Sequence, residues 1–169
     1  MKVVFLDFDG VLNGFGTHAP ASPIHPRLFL CPPLVERVNQ ICERTGAVVV
    51  LSTSWRTRAH HPGSSATHLS LDELREALWI AGARFNVIGA TPDLAREDTI
   101  GRADLTLWRC PPRHKEIAAW VEQHRPTAFA ILDDDCNAEI AGHFVPVEPW
   151  HGVQPEDVEA AVQILGRLT

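Results

Sequence analysis

The sequence predicts a three-layer α/β fold, with a central mostly parallel sheet covered by helices on both faces, and three observations carry that expectation. The most apolar stretches, residues 3–6, 47–51 and 128–132, are short, rich in β-branched residues and free of polar alternation, as in strands buried on both faces. Between them lie segments whose apolar residues recur at helical spacing, bounded by Pro, Ser and Gly in capping positions. The notable polar residues, Asp7, Asp9, Thr53, Asp133 and Asp134, follow the strand carboxyl ends. Sheets of this kind bind ligands at that edge.

Taken in order, Val3-Val4-Phe5-Leu6 reads as a buried strand ending at Asp7. Residues 13–33, rich in Gly, Pro and His, read as a loop. After Pro32-Pro33, the spacing of Leu34, Val35, Val38, Ile41 and Cys42 predicts a helix that Gly46 caps. Residues 47–51 form the second strand, and residues 56–70 a polar loop carrying His60, His61 and His68. Ser70 and Glu73 make a capping box for a helix containing Leu71, Leu74, Leu78 and Trp79, closed by Gly82. Residues 85–88 are the third strand and residues 89–110 a loop. Pro111-Pro112 opens a helix carrying Ile117, Ala118, Trp120 and Val121. Residues 128–132 and 144–147 are the fourth and fifth strands, and Pro155 opens a last helix through Val158, Val162 and Leu165. No internal repeat or low-complexity linker interrupts the chain, so residues 1–169 read as one domain.

Composition narrows the function classes. Hydrophobic residues make up 45% and charged residues 21%, the balance of a soluble globular protein. No apolar run approaches the ~20 residues of a membrane span. Residues 1–8 lack the basic start and long apolar middle of a secretory signal, so the expectation is a cytoplasmic protein. The net charge of −6 argues against a broad basic face for nucleic acid, though not against a local phosphate pocket. Cys31, Cys42, Cys110 and Cys136 form no CxxC pair and no zinc-type spacing, which leaves reduced thiols.

Asp7-Phe8-Asp9-Gly10 ends one predicted strand and Asp133-Asp134-Asp135 ends another. Carboxylates converging at one sheet edge repel unless a cation neutralises them. An oxygen-rich acidic site of this kind suits magnesium. Thr53 adds a hydroxyl at the second strand end, and Arg113 and Lys115 add positive charge at the start of the following helix.

These residues resemble the motifs of the haloacid dehalogenase (HAD) superfamily. Asp7-Phe8-Asp9-Gly10-Val11-Leu12 is similar to its first motif and Leu51-Ser52-Thr53-Ser54 to its second. Arg113 or Lys115 resembles the third-motif cation, and Ile131-Leu132-Asp133-Asp134 the fourth motif. Lys115 is the commoner residue type and the favoured candidate, whereas Arg113 shares a helix face with Ile117. The order of the motifs separates the chain from response-regulator receiver domains, whose paired acids come first. The resemblance implies a Rossmann-like fold and a Mg2+-dependent phosphohydrolase. Asp7 would be the nucleophile and Asp9 the general acid/base. Asp7, the Asp9 main chain, Asp133 and Asp134 would serve the metal, and Thr53, Ser54 and Arg113 or Lys115 would hold the phosphate.

The segments after the first and second motifs leave no room for a large cap, so the expected site is open. Ser52-Thr53-Ser54-Trp55-Arg56, Gly89-Ala90-Thr91-Pro92 and Trp120 after the third motif are similar to the HAD branch found in Swiss Army Knife RNA repair proteins. That resemblance implies a phosphorylated nucleic-acid end or nucleotide as substrate, with Trp55 and Arg56 as candidate contacts. Trp55 as core packing and Arg56 as a structural ion pair stand beside that expectation. Small phosphorylated metabolites, phosphoproteins, or a catalytically quiet phosphate-binding role are the alternatives. No stable protein partner and no membrane partner is expected.

Overall fold

The computed structural model describes residues 1–56, 69–94 and 113–167. Among them run β1 (Lys2–Leu6), α1 (Pro32–Thr45), β2 (Val48–Leu51), α2 (Leu71–Ile80), β3 (Val87–Ala90), α3 (Arg113–His124), β4 (Ala128–Asp133), β5 (Phe144–Pro146) and α4 (Pro155–Gly166). The strands form one sheet in the order β3-β2-β1-β4-β5, parallel at every pairing. This is the expected three-layer Rossmann-like α/β architecture.

The side-chain alternation of β1 divides the core. Val4 and Leu6, with Val49, Leu51, Ala130 and Leu132, pack on the face covered by α1, α2 and α4. Val3 and Phe5, with Val50 and Ile131, face Ile117 and Trp120 of α3. Phe5 meets the Trp120 ring edge-on at 5.4 Å and 83°. With both faces covered, polarity can appear only where the strands stop.

Strand order fixes where that happens. From β1 the chain steps outward to β2 and β3, then returns to lay β4 on the opposite side of β1. The crevice at the carboxyl ends of β1 and β4 is therefore the topological switch point, where open α/β sheets bind ligands. Leu6 is in register with Leu132 and with Leu51. The ladder runs one residue further: Asp7 N–H donates to the Leu132 carbonyl at 3.1 Å, Ser52 N–H to Leu6 at 2.8 Å, and Thr91 N–H to Leu51 at 2.9 Å.

Helix ends follow the expected chemistry. Gly46 is left-handed at φ 69° and its N–H closes α1 on the Cys42 carbonyl. Ser70 and Glu73 form both halves of the capping box of α2. Two details differ from expectation. The third strand spans Val87–Ala90 rather than residues 85–88, because Phe85 packs on the core from the preceding turn and the β2–β3 register shifts at Val49/Val50. Trp79 is 74% exposed, since the buried stripe of α2 is Leu74, Ala77 and Leu78 and the next residue turns off it.

Between Leu12 and Pro32 the described chain forms turns and an isolated bridge from Ala21 to Phe29, not a cap. Residues 57–68 and 95–112, which include His60, His61, His68 and Cys110, lie outside the described residues. Neither segment has the roughly 40 residues that a self-supporting domain needs. No helix among the described residues is long and apolar enough to cross a membrane.

Candidate active site

Asp7 is the first residue past β1 and is buried. Its Oδ1 accepts the Phe8 N–H at 2.7 Å, and the nearby Thr53 hydroxyl lowers the pKa of the same carboxyl group. The loop then turns tightly, with Leu12 N–H on the Phe8 carbonyl at 2.8 Å. Gly10 sits at φ 72°, and a Cβ there would run into the Asp134 carboxylate, so glycine lets the two acidic loops touch. Asn13 closes the turn: its Oδ1 accepts Gly10 N–H at 2.9 Å and its Nδ2 donates to Asp9 Oδ1 at 2.7 Å. The second Asp9 oxygen accepts the indole N–H of Trp55 at 3.0 Å.

Asp133, at the end of β4, is fully buried. Its Oδ1 accepts Asp135 N–H at 3.0 Å, while its Oδ2 has no hydrogen-bond partner. Asp7, Asp133 and Asp134 each present a carboxylate oxygen, all within 4.8 Å of one another. Arg113, in the first turn of α3, brings Nη1 to 3.4 Å from Asp7 Oδ1 and Nε to 3.6 Å from Asp133 Oδ2. These are ionic contacts rather than hydrogen bonds, and Nη1 is buried without a hydrogen-bond partner.

Burial pushes the Asp7 carboxyl up from its ordinary pKa, against the pull of the Arg113 charge. Asp133 is raised first by burial and then by the Asp7 charge. Burial raises Asp134 as well. One guanidinium does not balance three carboxylates. The converging oxygens, with a buried Asp133 oxygen lacking any partner, fit a hard cation held by carboxylates. The cluster can hold a metal ion.

The remaining candidates are sorted by the fold. Thr53 is buried against Asp7, and Ser54 begins a half-buried 3-10 turn, Ser54–Arg56. The favoured third-motif cation, Lys115, is exposed on α3, and Arg113 takes the place beside Asp7. Two residues along a helix turn the side chain about 200°, so only one of the pair can face the sheet. Asp9 stands outside the carboxylate cluster because Asn13 and Trp55 hold both of its oxygens.

Of its two readings, Arg56 has the geometry of the structural ion pair. Its Nε donates to the Thr91 carbonyl at 2.9 Å, Nη1 to Thr53 at 2.6 Å and Nη2 to Pro92 at 3.1 Å, and Nη2 also pairs with Glu116. It is a buried brace between strand ends. Asn13 and Glu116 were not among the sequence candidates. Glu116 carried a signal, since an acid sharing the buried stripe with Ile117 and Trp120 needs a partner. Asn13 carried only its position four residues after Asp9.

Residues 3–158 match the family described as the HAD domain in Swiss Army Knife RNA repair proteins. No significant match emerges among curated proteins or solved structures. The matched span covers all five strands save Lys2, the first residue of β1, and all of the acidic strand-end residues. Its family points to hydrolase chemistry of the phosphatase type, in keeping with paired acids and a cation at the switch point. The chain belongs to the HAD domain family of Swiss Army Knife RNA repair proteins.

Proposed function

We propose that the protein is a magnesium-dependent phosphomonoesterase acting through an aspartyl-phosphate on Asp7, with phosphorylated RNA ends or nucleotides as its substrates. The observation that carries this is the cluster of buried Asp7 and Asp133 with half-buried Asp134, with Arg113 beside it and a second acid, Asp9, held just outside it. Mg2+ held by Asp7, Asp133 and Asp134 would offset the charge of these carboxylates and of the phosphoryl oxygens.

An Asp7 carboxylate oxygen attacks phosphorus, the ester P–O bond breaks, and the leaving oxygen takes a proton from Asp9. Water then attacks the phosphorus and gives a proton back to Asp9, and the bond between Asp7 and phosphorus breaks. Thr53 and Arg113, whose Nη1 makes no hydrogen bond, serve the transferring oxygens.

Two observations favour a nucleic-acid end. The family is named for RNA repair. Phe15 and Trp150 are 67% and 57% exposed on loops joined by Phe15 N–H on the Pro149 carbonyl and Gly16 N–H on Trp150, offering faces on which bases stack. Small phosphorylated metabolites or phosphoproteins are the second reading, favoured by the net charge of −6.

Phosphate release from 3′- and 5′-phosphorylated oligoribonucleotides, nucleotides and sugar phosphates, with Mg2+ and with chelator, tests both. Magnesium-dependent release abolished by Asp7→Asn is expected. Indifference to every oligonucleotide with turnover of small esters would transfer the assignment to the second reading. Inactivity on all of them would leave a phosphate-binding module.

A further inference from the structure

Asp9 is half-buried, and each of its carboxylate oxygens accepts one hydrogen bond: Asn13 Nδ2 lies 2.7 Å from Oδ1 and Trp55 Nε1 lies 3.0 Å from Oδ2. Both donors are fixed in kind. An indole nitrogen can only donate. The Asn13 amide cannot flip, because its oxygen already takes the Gly10 N–H at 2.9 Å.

Each donor also stands on a rigid support. Asn13 closes the turn that Asp7 opens. Trp55 sits in the 3-10 turn locked by Arg56 to the Thr53, Thr91 and Pro92 carbonyls. Its ring packs against the core and meets His25 edge-on at 5.4 Å. Trp55 thus connects the second strand end, where Thr53 touches Asp7, to the proton-transfer residue on the first.

The geometry points to Trp55 and Asn13 as positioning residues that hold the Asp9 carboxylate at the leaving-group oxygen, so that Trp55 acts through Asp9 and not on the substrate. This rests on the phosphomonoesterase reading above. A free carboxylate on a half-buried loop samples several rotamers, and a catalytic group held in one orientation avoids that loss in the transition state.

The test uses the full chain with Mg2+ and two esters that differ in their need for an acid. Nitrophenyl phosphate expels a stable anion, whereas a 3′-phosphorylated oligoribonucleotide must protonate its ribose oxygen. The ratio kcat/KM reads phosphoryl transfer to Asp7, the step in which Asp9 is the acid. Trp55→Phe keeps the ring and removes the N–H. It is expected to lower kcat/KM about 10- to 100-fold on the ribose ester and only about threefold on nitrophenyl phosphate. In an Asp9→Asn background the same substitution should add no more than about twofold, since there is no acid left to position.

Equal losses on both esters, or a full loss in the Asp9→Asn background, overturns the inference. So does a rise in KM confined to the oligonucleotide, which would make Trp55 a base-stacking residue. Asn13→Ser should give the same leaving-group pattern and decides the matter if Trp55→Phe does not fold. A wild-type protein that hydrolyses neither ester removes both this inference and the phosphomonoesterase reading. An active wild type whose Asp9→Asn variant discriminates the esters while Trp55→Phe and Asn13→Ser do not removes this inference alone.

Discussion

At the scale of single residues, Arg56 shows what burial asks of a charge. Its side chain is 8% exposed and that of Glu116 5%, so each is the other's main compensation for lost water. Burial lowers the Arg56 pKa, and the Glu116 charge works against that shift. Arg56→Ala strands a buried carboxylate and should cost about 3–5 kcal/mol. At about 2–4 °C per kcal/mol for a chain of this size, calorimetry should record a Tm fall of roughly 6–20 °C. The Arg56→Met, Glu116→Leu double variant should recover most of it. Arg113 and Lys115 separate on catalysis. Arg113→Ala is expected to lower kcat about 10²- to 10³-fold, the loss typical of a charge-stabilising donor, whereas Lys115→Ala should stay within about twofold. Equal effects would remove Arg113 from its role. The places of Asp7 and Asp133 at strand ends were legible because each directly follows a short apolar run rich in β-branched residues. Arg113 and Lys115 differ in helix phase: Arg113, on the face shared with Ile117, lies beside Asp7, and Lys115 is exposed. The two readings of Trp55 and Arg56, substrate contact or internal support, stay open in the sequence because their partners, Asp9 and Glu116, lie 46 and 60 residues away.

At the scale of elements, helices with local caps were legible and strand limits were not. The α2 start needs only Ser70 and Glu73, whose reciprocal bonds measure 3.2 and 2.7 Å, so four consecutive residues specify it. Ser70→Ala should cost about 1 kcal/mol and leave activity unchanged, measured by denaturant midpoint against initial rate. The limits of β3 depend instead on pairing with β2, which no local pattern encodes. The turn before β3 is tied to α1 by Arg84, which reaches Glu36 at 2.7 Å and Glu43 at 2.8 Å. The Arg84 hydrogen bonds, with help from Asn39, hold the Glu36 carboxyl down at about 2 from its ordinary 4.5. A depressed acid contributes stability that is complete above pH 4.5 and fades as pH falls toward 2. The Tm difference between wild type and Arg84→Ala should therefore be flat from neutrality to pH 4.5 and close below it. Because the pair is exposed, salt should shrink the difference at every pH. A gap that widened in acid would contradict this assignment.

At the scale of the whole molecule, the sheet's topology creates an electrostatic cost that a ligand can reverse. Strand order brings β1 and β4 side by side, and the register of Leu6 with Leu132 sets Asp7 opposite Asp133 whatever their charges. Hydrophobic burial across the sheet holds these acids together, and Arg113 offsets only part of their repulsion. The ion-free protein should accordingly be less stable at this edge than a variant with one fewer charge. Asp133→Asn keeps an oxygen for the Asp135 N–H and removes a carboxylate that burial and Asp7 disfavour. In chelator its Tm should equal or exceed that of wild type. With magnesium the order reverses. An ion at about 100 times its Kd stabilises the native state by about 2.7 kcal/mol, a rise of roughly 5–10 °C here. That rise should appear in the wild type, vanish on adding chelator, and be absent in Asp133→Asn. A variant that kept the full magnesium-dependent rise would show that the ion binds elsewhere, and the carboxylate cluster would lose its claim to the metal. A variant less stable than wild type in chelator would mean that Asp133 contributes to the fold in its own right. The expected pair of results, higher stability without the ion and no response to it, requires one carboxylate to be unfavourable for folding and necessary for binding.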